Sequence, residues 1–346
     1  MSWQSAMIPG FGPNGKPIIS VIAKRSYEIA PGRVFLANEQ LPLYTAEIPA
    51  DSTNLYYSEN LAETDLVAFK PFTDIVVLGK AYSPKGTKSY HLECEVQVGQ
   101  AKKIINVFGE RKIESKLMRG LNFTDPIPFE EKPIGYANAY GGRAKSKDGT
   151  LFPFPPNPLG KGFYIKGGFE EYSEILVPSV EDPEFPLEPE DLILDKYDNW
   201  KSAPKPVSFG WTKQSFFPRF TYSGIIPELP GAYASGYEIN PNLPKMDSRF
   251  FQGASDGLCS HVLKGNEHVR LTNMDSENPL FEFELPGEMP VMTIKIGSNQ
   301  EQLPPVLQTV MIDKEKNILY MVWRGMVNCI LEDETAKGNK PEYDVK

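Results

Sequence analysis

Alternation of apolar and polar residues, broken repeatedly by proline and glycine, is the feature that most limits how this chain can fold. It is clearest between Tyr90 and Val98, where every second side chain is apolar. A period of two places successive side chains on opposite faces of a strand. Gly99-Gln100 is a hairpin turn in this pattern, and Lys103 to Phe108 is the partner strand. We therefore predict an antiparallel meander with one solvated face.

The same period recurs near both ends of the chain. It predicts strands near the N-terminus over Ile18 to Tyr27 and Thr73 to Tyr82. Two stretches, Leu61 to Leu66 and Arg111 to Met118, are the best candidates for short helices. In the last third the predicted strands are Glu267 to Leu271, Phe281 to Leu285, Val291 to Ile296, Val306 to Asp313 and Ile318 to Leu331, the last two forming a hairpin.

Proline and glycine set the fold class together with this period. The chain has 346 residues, of which 32 are proline and 28 are glycine, spread without any repeat. Proline removes a backbone donor and interrupts helices and central strands. We predict a mainly β protein with antiparallel β-sandwich or meander-type sheets, long Pro/Gly-rich ordered loops and few short helices.

Composition shifts along the chain predict four regions. Residues 1–119 form an N-terminal antiparallel β region, and 120–244 form ordered coil rich in proline and aromatic residues. Residues 245–331 form a C-terminal β region that packs with the N-terminal one, and 332–346 form a flexible tail. Because disordered linkers are poor in aromatic residues, we expect the central coil to be ordered and its rings to pack on a sheet. The whole is expected to be one compact unit.

Charge and cysteine content exclude several function classes. The formal net charge is −9, and no dense run of Lys and Arg provides the positive surface that nucleic acid requires. Three cysteines are too few for a disulfide framework and fit a reducing compartment. No stretch has the length and apolarity of a membrane span or a secretion signal. We expect a cytoplasmic protein without nucleic-acid, membrane or cofactor binding.

Three motifs suggest chemistry, and each lacks its usual context. Gly10 to Gly15 fits a nucleotide-binding glycine pattern, but a strand follows it where a helix is needed. Gly253 to Gly257 fits the G-x-S-x-G of serine hydrolases around Ser255, with His261 or His268 as conceivable bases. No alternation of strands and helices surrounds it. Cys259-x-His261 with His268 lacks the paired spacing of a zinc site. We therefore expect no metal site and no enzyme, and keep a serine hydrolase using Ser255 as the alternative.

Aromatic and arginine residues in the second half of the chain combine the types that dominate protein interfaces. They are candidates for partner contact, with packing in the protein's own core as the competing interpretation. The candidates are Trp211, Phe217, Arg219, Tyr222, Trp323 and Arg324.

A series of ordered motifs resembles one protein family. Lys70-Pro71-Phe72-Thr73-Asp74 is followed by a strand and by Gly79-Lys80-Ala81, and Val107-Phe108-Gly109-Glu110-Arg111 comes next. The series continues with Tyr140-Gly141-Gly142, Asn157-Pro158-x-Gly160-x-Gly162, Phe217-Pro218-Arg219, Leu243-Pro244 with Asp247 to Gln252, and Val322 to Gly325. Taken together, these motifs resemble the DUF2169 family of bacterial proteins associated with type VI secretion.

The resemblance implies a binding function. Members of the family act as adaptors or chaperones that load a toxic effector onto the spike (VgrG and PAAR-type proteins), without assigned catalytic residues. We therefore expect the partners of this chain to be a protein effector and a spike or PAAR-type protein. A structural component of the secretion particle is a further alternative.

Overall fold

The computed structural model describes residues 2–116, 120–168, 175–224, 246–261, 263–330, 334–335 and 337–346. These residues confirm the predicted mainly β class, since they form 27 strands and their helical segments are short. The 3-10 helices are Tyr136–Asn138, Pro189–Leu192, Tyr197–Ser202, Arg219–Ser223 and Ser248–Phe251. The strands are β1 Gln4–Phe11, β2 Pro17–Ala30, β3 Arg33–Leu36, β4 Ile48–Pro49, β5 Asn60–Ala62, β6 Thr73–Leu78, β7 Lys80–Tyr82, β8 His91–Val98, β9 Ala101–Phe108, β10 Ile113–Lys116, β11 Gly120–Phe123, β12 Glu131–Pro133, β13 Tyr140–Gly141, β14 Arg143–Lys145, β15 Leu151–Pro153, β16 Lys161–Gly162, β17 Tyr164–Ile165, β18 Val180–Glu181, β19 Ile193–Leu194, β20 Cys259–Ser260, β21 His268–Thr272, β22 Leu280–Glu284, β23 Met292–Ile296, β24 Asn299–Leu303, β25 Val306–Asp313, β26 Ile318–Asn328 and β27 Glu342–Val345.

The larger sheet joins both ends of the chain. Its order is β1-β2-β26-β25-β6-β20, and β3 also pairs with β2. All pairings are antiparallel except that of β25 with β6. The predicted hairpin of β25 and β26 is confirmed, with Asn317 at positive φ in its turn. Strands β2, β25 and β26 are buried along most of their length, as expected for the middle of a sheet covered on both faces.

The glycine pattern near the N-terminus is a hairpin turn. It links β1 to β2, which pair antiparallel from Gln4 opposite Lys24 to Phe11 opposite Pro17. The amide of Gly12 donates to the carbonyl of Lys16 at 2.9 Å. No helix begins here, so the geometry that places amides around a phosphate at a helix N-terminus is missing from this turn.

The second sheet contains the predicted meander. Its order is β18-β9-β8-β21-β22, and β8 pairs with β9 around Gly99, whose φ of 57° suits a tight turn. Cys94, Val96 and Val98 are fully buried while their neighbours in the strand are more exposed. The predicted alternation and its solvated face are therefore confirmed.

A single hydrophobic core joins the two sheets. Side chains of the larger sheet, such as Ile22 and Trp323, belong to the same buried cluster as Val96 and Leu271 of the second sheet. Two faces packed in this way match the predicted sandwich-type arrangement. Both sheets therefore combine strands from the first 110 residues with strands from the last 80.

The central region has its own smaller core, which the sequence prediction did not anticipate. Its rings pack mainly on one another, as when Phe154 lies 5.0 Å from Tyr140 and 5.1 Å from Phe163 between ring centroids. Two-residue strand pairs such as β13 with β16 connect its loops. Residues 225–245, at the end of the predicted coil, lie outside the described residues.

Two predictions of helix are wrong. Residues 61–62 belong to strand β5 and 63–66 lie in the loop after it, while Ile113–Lys116 form strand β10, paired with β11. In this segment Leu61 is exposed, while Glu63 and Asp65 are buried in ion pairs. Buried charged residues beside an exposed leucine are the reverse of what side-chain polarity predicts.

The expected flexible tail also requires a correction. Glu342–Val345 form strand β27, which pairs antiparallel with β23 from Met292 opposite Val345. The alternation of Glu, Tyr, Asp and Val in this strand is typical of a half-exposed strand. Residues 331–333 and 336, at the beginning of the predicted tail, lie outside the described residues.

Candidate functional site

Most of the predicted partner-contact residues lie inside the protein. Trp211, Arg219, Trp323 and Arg324 are buried. Phe217 and Tyr222 have intermediate exposure; they are the two of the six with surface to offer a partner in this conformation. The sequence identified residue types that stabilise interfaces, but the same types also fill cores.

Arg324 shows how an arginine is accommodated in the larger sheet. Its guanidinium lies 4.8 Å from the ring of Phe69 and donates to the sulfur of Met326 at 2.9 Å. Burial lowers the pKa of Arg324 to about 10. An aromatic ring and a thioether solvate a guanidinium weakly. Arg324 still carries its charge at neutral pH, but the group is buried and therefore does not reach a partner at the surface.

Arg219 connects three segments. Its guanidinium forms a two-point ion pair with Glu63, at 2.7 Å for Nη2 to Oε2, and both side chains are buried. Its Nε donates to the carbonyl of Phe250 at 2.8 Å, and Nη1 donates to the carbonyl of Thr212. A planar guanidinium with several acceptors fixes the relative positions of their backbones. We call residues 207–224 the supporting segment.

The supporting segment also holds a surface loop through a buried lysine. The ammonium of Lys213 donates to the carbonyls of Leu55 at 2.5 Å and Ser58 at 2.9 Å. Burial lowers the pKa of Lys213, and the charges of Glu47 and Glu63 oppose the shift. We call residues 50–59, between β4 and β5, the Tyr56 loop.

The Tyr56 loop displays apolar side chains to solvent. Tyr56 is 76% exposed and Leu55 is 59% exposed, and Tyr57 beside them is covered in part by the guanidinium of Arg143 at 4.2 Å. The base of the loop is ordered by the hydroxyl of Ser58, which accepts from the amide of Asp51 at 2.7 Å. An exposed tyrosine on a loop with a fixed backbone is typical of a binding surface.

Buried Asp74 joins two of the sequence motifs. Its carboxylate accepts from Lys70 at 2.6 Å and from the side-chain amide of Gln252 at 2.6 Å. It also accepts from the amides of Gly253 at 3.0 Å and Ala254 at 3.1 Å. The K-P-x-T-D motif therefore positions the chain that leads to Ser255.

The glycine and asparagine motifs shape loops in the central region. The side-chain amide of Asn157 donates to the carbonyls of Tyr136 at 2.8 Å and Tyr140 at 3.0 Å. Gly141 has φ of 144°, and a Cβ there would lie 2.1 Å from the carbonyl oxygen of Asn157. Only glycine allows this close approach, which explains the Y-G-G followed by N-P-x-G.

A comparison with protein families now identifies what these motifs belong to. A family model described as "Uncharacterized protein conserved in bacteria (DUF2169)" matches residues 14–324. The chain belongs to the DUF2169 family. No curated protein and no solved structure matches the chain. The matched span contains the second sheet, the supporting segment, the Tyr56 loop and most of the larger sheet; it begins after β1 and ends within β26.

Ser255 of this DUF2169 protein has a different neighbour from those that its motif suggested. His261 packs edge-on against Phe72 at 4.4 Å between ring centroids, and His268 faces Glu282 at 3.8 Å. The ammonium of Lys103, in β9, instead lies 2.5 Å from the Ser255 hydroxyl. Lys103 and Ser255 are 152 positions apart, so no spacing in the sequence could have paired them.

Two other residues complete the surroundings of this serine. The hydroxyl of Tyr136 donates to Ser255 Oγ at 3.3 Å and shares a hydrogen bond with the hydroxyl of Thr212 at 2.8 Å. We call Lys103, Tyr136, Thr212 and Ser255 the Ser255 cluster. It combines Lys103 from the second sheet, Tyr136 and Thr212 from the central region, and Ser255 from the G-x-S-x-G turn.

The Tyr56 loop was also missed by the sequence prediction, although a signal for it exists. A polar turn, Asp51-Ser52-Thr53-Asn54, leads directly into Leu55-Tyr56-Tyr57. Large apolar residues that directly follow a turn-forming run are placed on a loop tip rather than in a strand. Separately, none of the helices among the described residues has the length and apolarity needed to cross a membrane.

Proposed function

We propose that this chain is an adaptor that binds a protein effector of a type VI secretion system and helps load it onto the spike. Its membership of the DUF2169 family supports this proposal, as does the display of apolar side chains on a surface loop. The Tyr56 loop is the surface on which we place effector contact. The bacterial cytoplasm, where effectors are made, is the proposed compartment.

The observation that carries the proposal is the combination of exposure and support in the Tyr56 loop. Exposing Leu55 and Tyr56 to water is unfavourable for the folded protein, by about 25 cal/mol for each Å² of apolar surface left uncovered. A buried lysine and several hydrogen bonds nevertheless hold the loop in that position. A partner that covers the loop would recover this free energy.

The hydrogen bonds from the supporting segment should also increase the affinity of the Tyr56 loop for a partner. Ordering a flexible loop on binding costs free energy for each residue that becomes fixed. Because Lys213 binds the carbonyls at positions 55 and 58 in the free protein, the loop is already ordered and loses little conformational entropy when the partner binds. Tyrosine adds contact area with few rotatable bonds.

A co-purification experiment tests the proposal. The chain is expressed together with the toxin and spike proteins encoded beside it, and each complex is isolated through a tag on this chain. We expect the toxin to co-purify with the wild type and Tyr56→Ser to weaken the complex. Loss of a central tyrosine typically costs about 2 kcal/mol, or about 30-fold in Kd.

Phe185→Ser is the matched control. Phe185 is 72% exposed, close to the value for Tyr56, and lies in a different loop of the protein. We expect this variant to bind the toxin as the wild type does. Equal effects of the two variants would show that the Tyr56 loop is not the contact surface. Unchanged toxin abundance and spike loading in cells without this chain would refute the adaptor proposal itself.

The alternative role as a structural component of the particle predicts a different distribution. An adaptor stays with the producing cell after loading, whereas a component is found in purified particles and in the culture supernatant. Immunodetection of the chain in both fractions separates the two functions.

A further inference from the structure

The Ser255 cluster has the arrangement of an activated nucleophile. Lys103 Nζ lies 2.5 Å from Ser255 Oγ and also donates to the carbonyl of Asp256 at 2.7 Å. Ser255 is only 2% exposed, but Asp256 and Gly257, which follow it, are exposed. The serine therefore lies directly beneath a surface turn, with an amine in contact with its hydroxyl.

Lys103 differs from most other enclosed lysines of this protein in what it contacts. Lys24, Lys70 and Lys314 each bind the carboxylate of an aspartate, at 2.6 to 2.8 Å. In the described part of the chain, no carboxylate oxygen lies within 4.0 Å of the Lys103 ammonium. A lysine that bonds to a hydroxyl and a carbonyl has no ion pair to keep it charged.

We propose that Ser255 is an acyl-accepting nucleophile, that Lys103 is its general base, and that the substrates are small activated carboxylic esters or thioesters. This activity is separate from the proposed adaptor function and depends on a different part of the molecule. A serine paired with a lysine is a known solution to nucleophile activation, in which the amine replaces histidine.

The charge state of Lys103 suits this role. Burial lowers the pKa of Lys103 to about 8, and the carboxylates of Asp256 and Asp182 oppose this shift. A base with this pKa is neutral in about a tenth of the molecules at pH 7 and in about half at pH 8. The Tyr136 hydroxyl, which also contacts Ser255, stays protonated at these pH values because burial raises its pKa.

The turn after the serine provides a donor for the developing negative charge. In the described residues, the amides of Asp256 and Gly257 donate no hydrogen bond to another group of the protein. The amide of the residue that follows a nucleophilic serine is a common oxyanion donor. The amide of Asp256 has this position here.

The proposed step balances in atoms and protons. Neutral Lys103 takes the hydroxyl proton as Ser255 Oγ forms a bond to the acyl carbon, and the carbonyl oxygen becomes an oxyanion. The bond from the acyl carbon to the leaving oxygen or sulfur then breaks, and the Lys103 ammonium returns its proton to the departing alcohol or thiol. The products are an ester on Ser255 and the free alcohol or thiol.

Tyr136 acts in this scheme as a positioning residue. Its hydroxyl bonds to both Ser255 and Thr212, so it fixes the direction of the serine hydroxyl relative to Lys103. Tyr136→Phe should slow acylation while leaving its pH midpoint unchanged, because the base is still present. A merely structural role would change stability without this kinetic pattern.

Intact-mass spectrometry of the full chain tests the proposal. The protein is treated with p-nitrophenyl acetate, or with a fluorophosphonate, between pH 6 and pH 9.5, and the modified residue is located by peptide mapping. We expect a single adduct on Ser255 whose rate of formation rises with a midpoint near pH 8. Ser255→Ala should carry no adduct at this position.

Lys103→Arg decides whether the lysine is the base, since it keeps the positive charge but cannot accept the proton. We expect it to slow labelling at least about 100-fold, while Lys102→Arg, at the exposed neighbouring position, has no effect. Cooperative unfolding of each variant confirms that it folds. Absence of the Ser255 adduct in folded wild type at every pH, or equal rates for Lys103→Arg and wild type, would overturn the proposal. Toxin co-purification is measured separately, so failure of either proposal is distinguishable.

Discussion

Lys24 and Asp65 form a buried ion pair whose disruption should have a large and specific effect. Lys24 is fully buried in β2, and its ammonium lies 2.8 Å from a carboxylate oxygen of Asp65. The same ammonium lies 3.6 Å from the ring centroid of Tyr44 and 4.0 Å from that of Tyr320. Asp65→Ala would leave the lysine among aromatic rings without its counterion.

The contacts of Asp65 allow the loss in the free energy of unfolding to be estimated. Removing one partner of a buried ion pair costs about 3–5 kcal/mol, because the remaining charge is not solvated. Asp65 also accepts from the amide of Tyr44 at 2.7 Å, and a buried donor left unsatisfied costs about 1–3 kcal/mol. Relaxation of the site and entry of water offset part of this sum. We therefore expect the free energy of unfolding to fall by about 4 kcal/mol at pH 7, or almost 1000-fold in the unfolding equilibrium.

The pH dependence of the variant has a definite sign. Burial lowers the pKa of Lys24, and Asp65 opposes that shift in the wild type. Without Asp65, the folded-state pKa of Lys24 falls further below its value in the unfolded chain. Between that lowered pKa and the unfolded value of about 10.4, the unfolded chain binds more protons than the folded one, so the stability of Asp65→Ala should rise with pH in this range.

Urea unfolding of the wild type and variants at pH 7 and pH 9.5 measures both effects. Asp195→Ala, which removes an exposed ion pair with Lys166, should change stability by no more than about 0.5 kcal/mol. Lys24→Met combined with Asp65→Ala should be more stable than Asp65→Ala alone at pH 7 and should lose its rise with pH. A cost below about 1 kcal/mol for Asp65→Ala, or stability that does not rise with pH, would refute the reasoning.

Three further outcomes are expected from the packing. Gly253→Ala places a Cβ 2.6 Å from the Trp211 ring and should lower the free energy of unfolding, measured with urea, by about 1–3 kcal/mol. In the control Gly210→Ala, the nearest atom lies 3.5 Å from the new Cβ, so the loss should be less than about 1 kcal/mol. Lys213→Met removes the hydrogen bonds to the Tyr56 loop and should speed amide hydrogen exchange at residues 51–58, without a comparable change in β8. Exchange at residues 51–58 that is as slow in the variant as in the wild type would contradict the support that we assign to Lys213. Burial raises the pKa of Cys94 and of Cys259 to about 12. At pH 8 both thiols should therefore resist iodoacetamide in the native protein and react with it in the denatured protein. Rapid labelling of the native protein would show that the two thiols are accessible.

The strands could be predicted from the sequence because their signal is local. In β8 the alternation of apolar and polar side chains also states which face is buried, and the structure agrees. The same reasoning failed at residues 61–66, where Glu63 and Asp65 are buried. The partners of these two carboxylates are Arg219, 156 positions away, and Lys24, 41 positions away. A rule based on polarity cannot anticipate a charge that is satisfied by a distant residue.

The order of strands in the larger sheet could not be predicted at all. Strand β6 pairs in parallel with β25, which lies more than 200 positions later in the chain. The local sequence pattern does not indicate which strands pair in this way, because it shows only that each strand is apolar and buried. The Ser255 cluster has the same origin, since the pairing of β6 and β20 holds the G-x-S-x-G turn near β9.

Arg219, one of the predicted partner residues, belongs to the same arrangement as the Tyr56 loop. Arg219 is buried and cannot contact a partner directly, but it fixes Glu63 just beyond β5, and Lys213 of the same segment binds the loop. An Arg219→Ala variant would therefore weaken partner binding by displacing the loop, and alanine scanning alone would record it as a contact residue. Binding and hydrogen exchange measured together separate the two causes. A contact residue such as Tyr56 changes affinity while exchange in the free loop stays as in the wild type, whereas a supporting residue changes both.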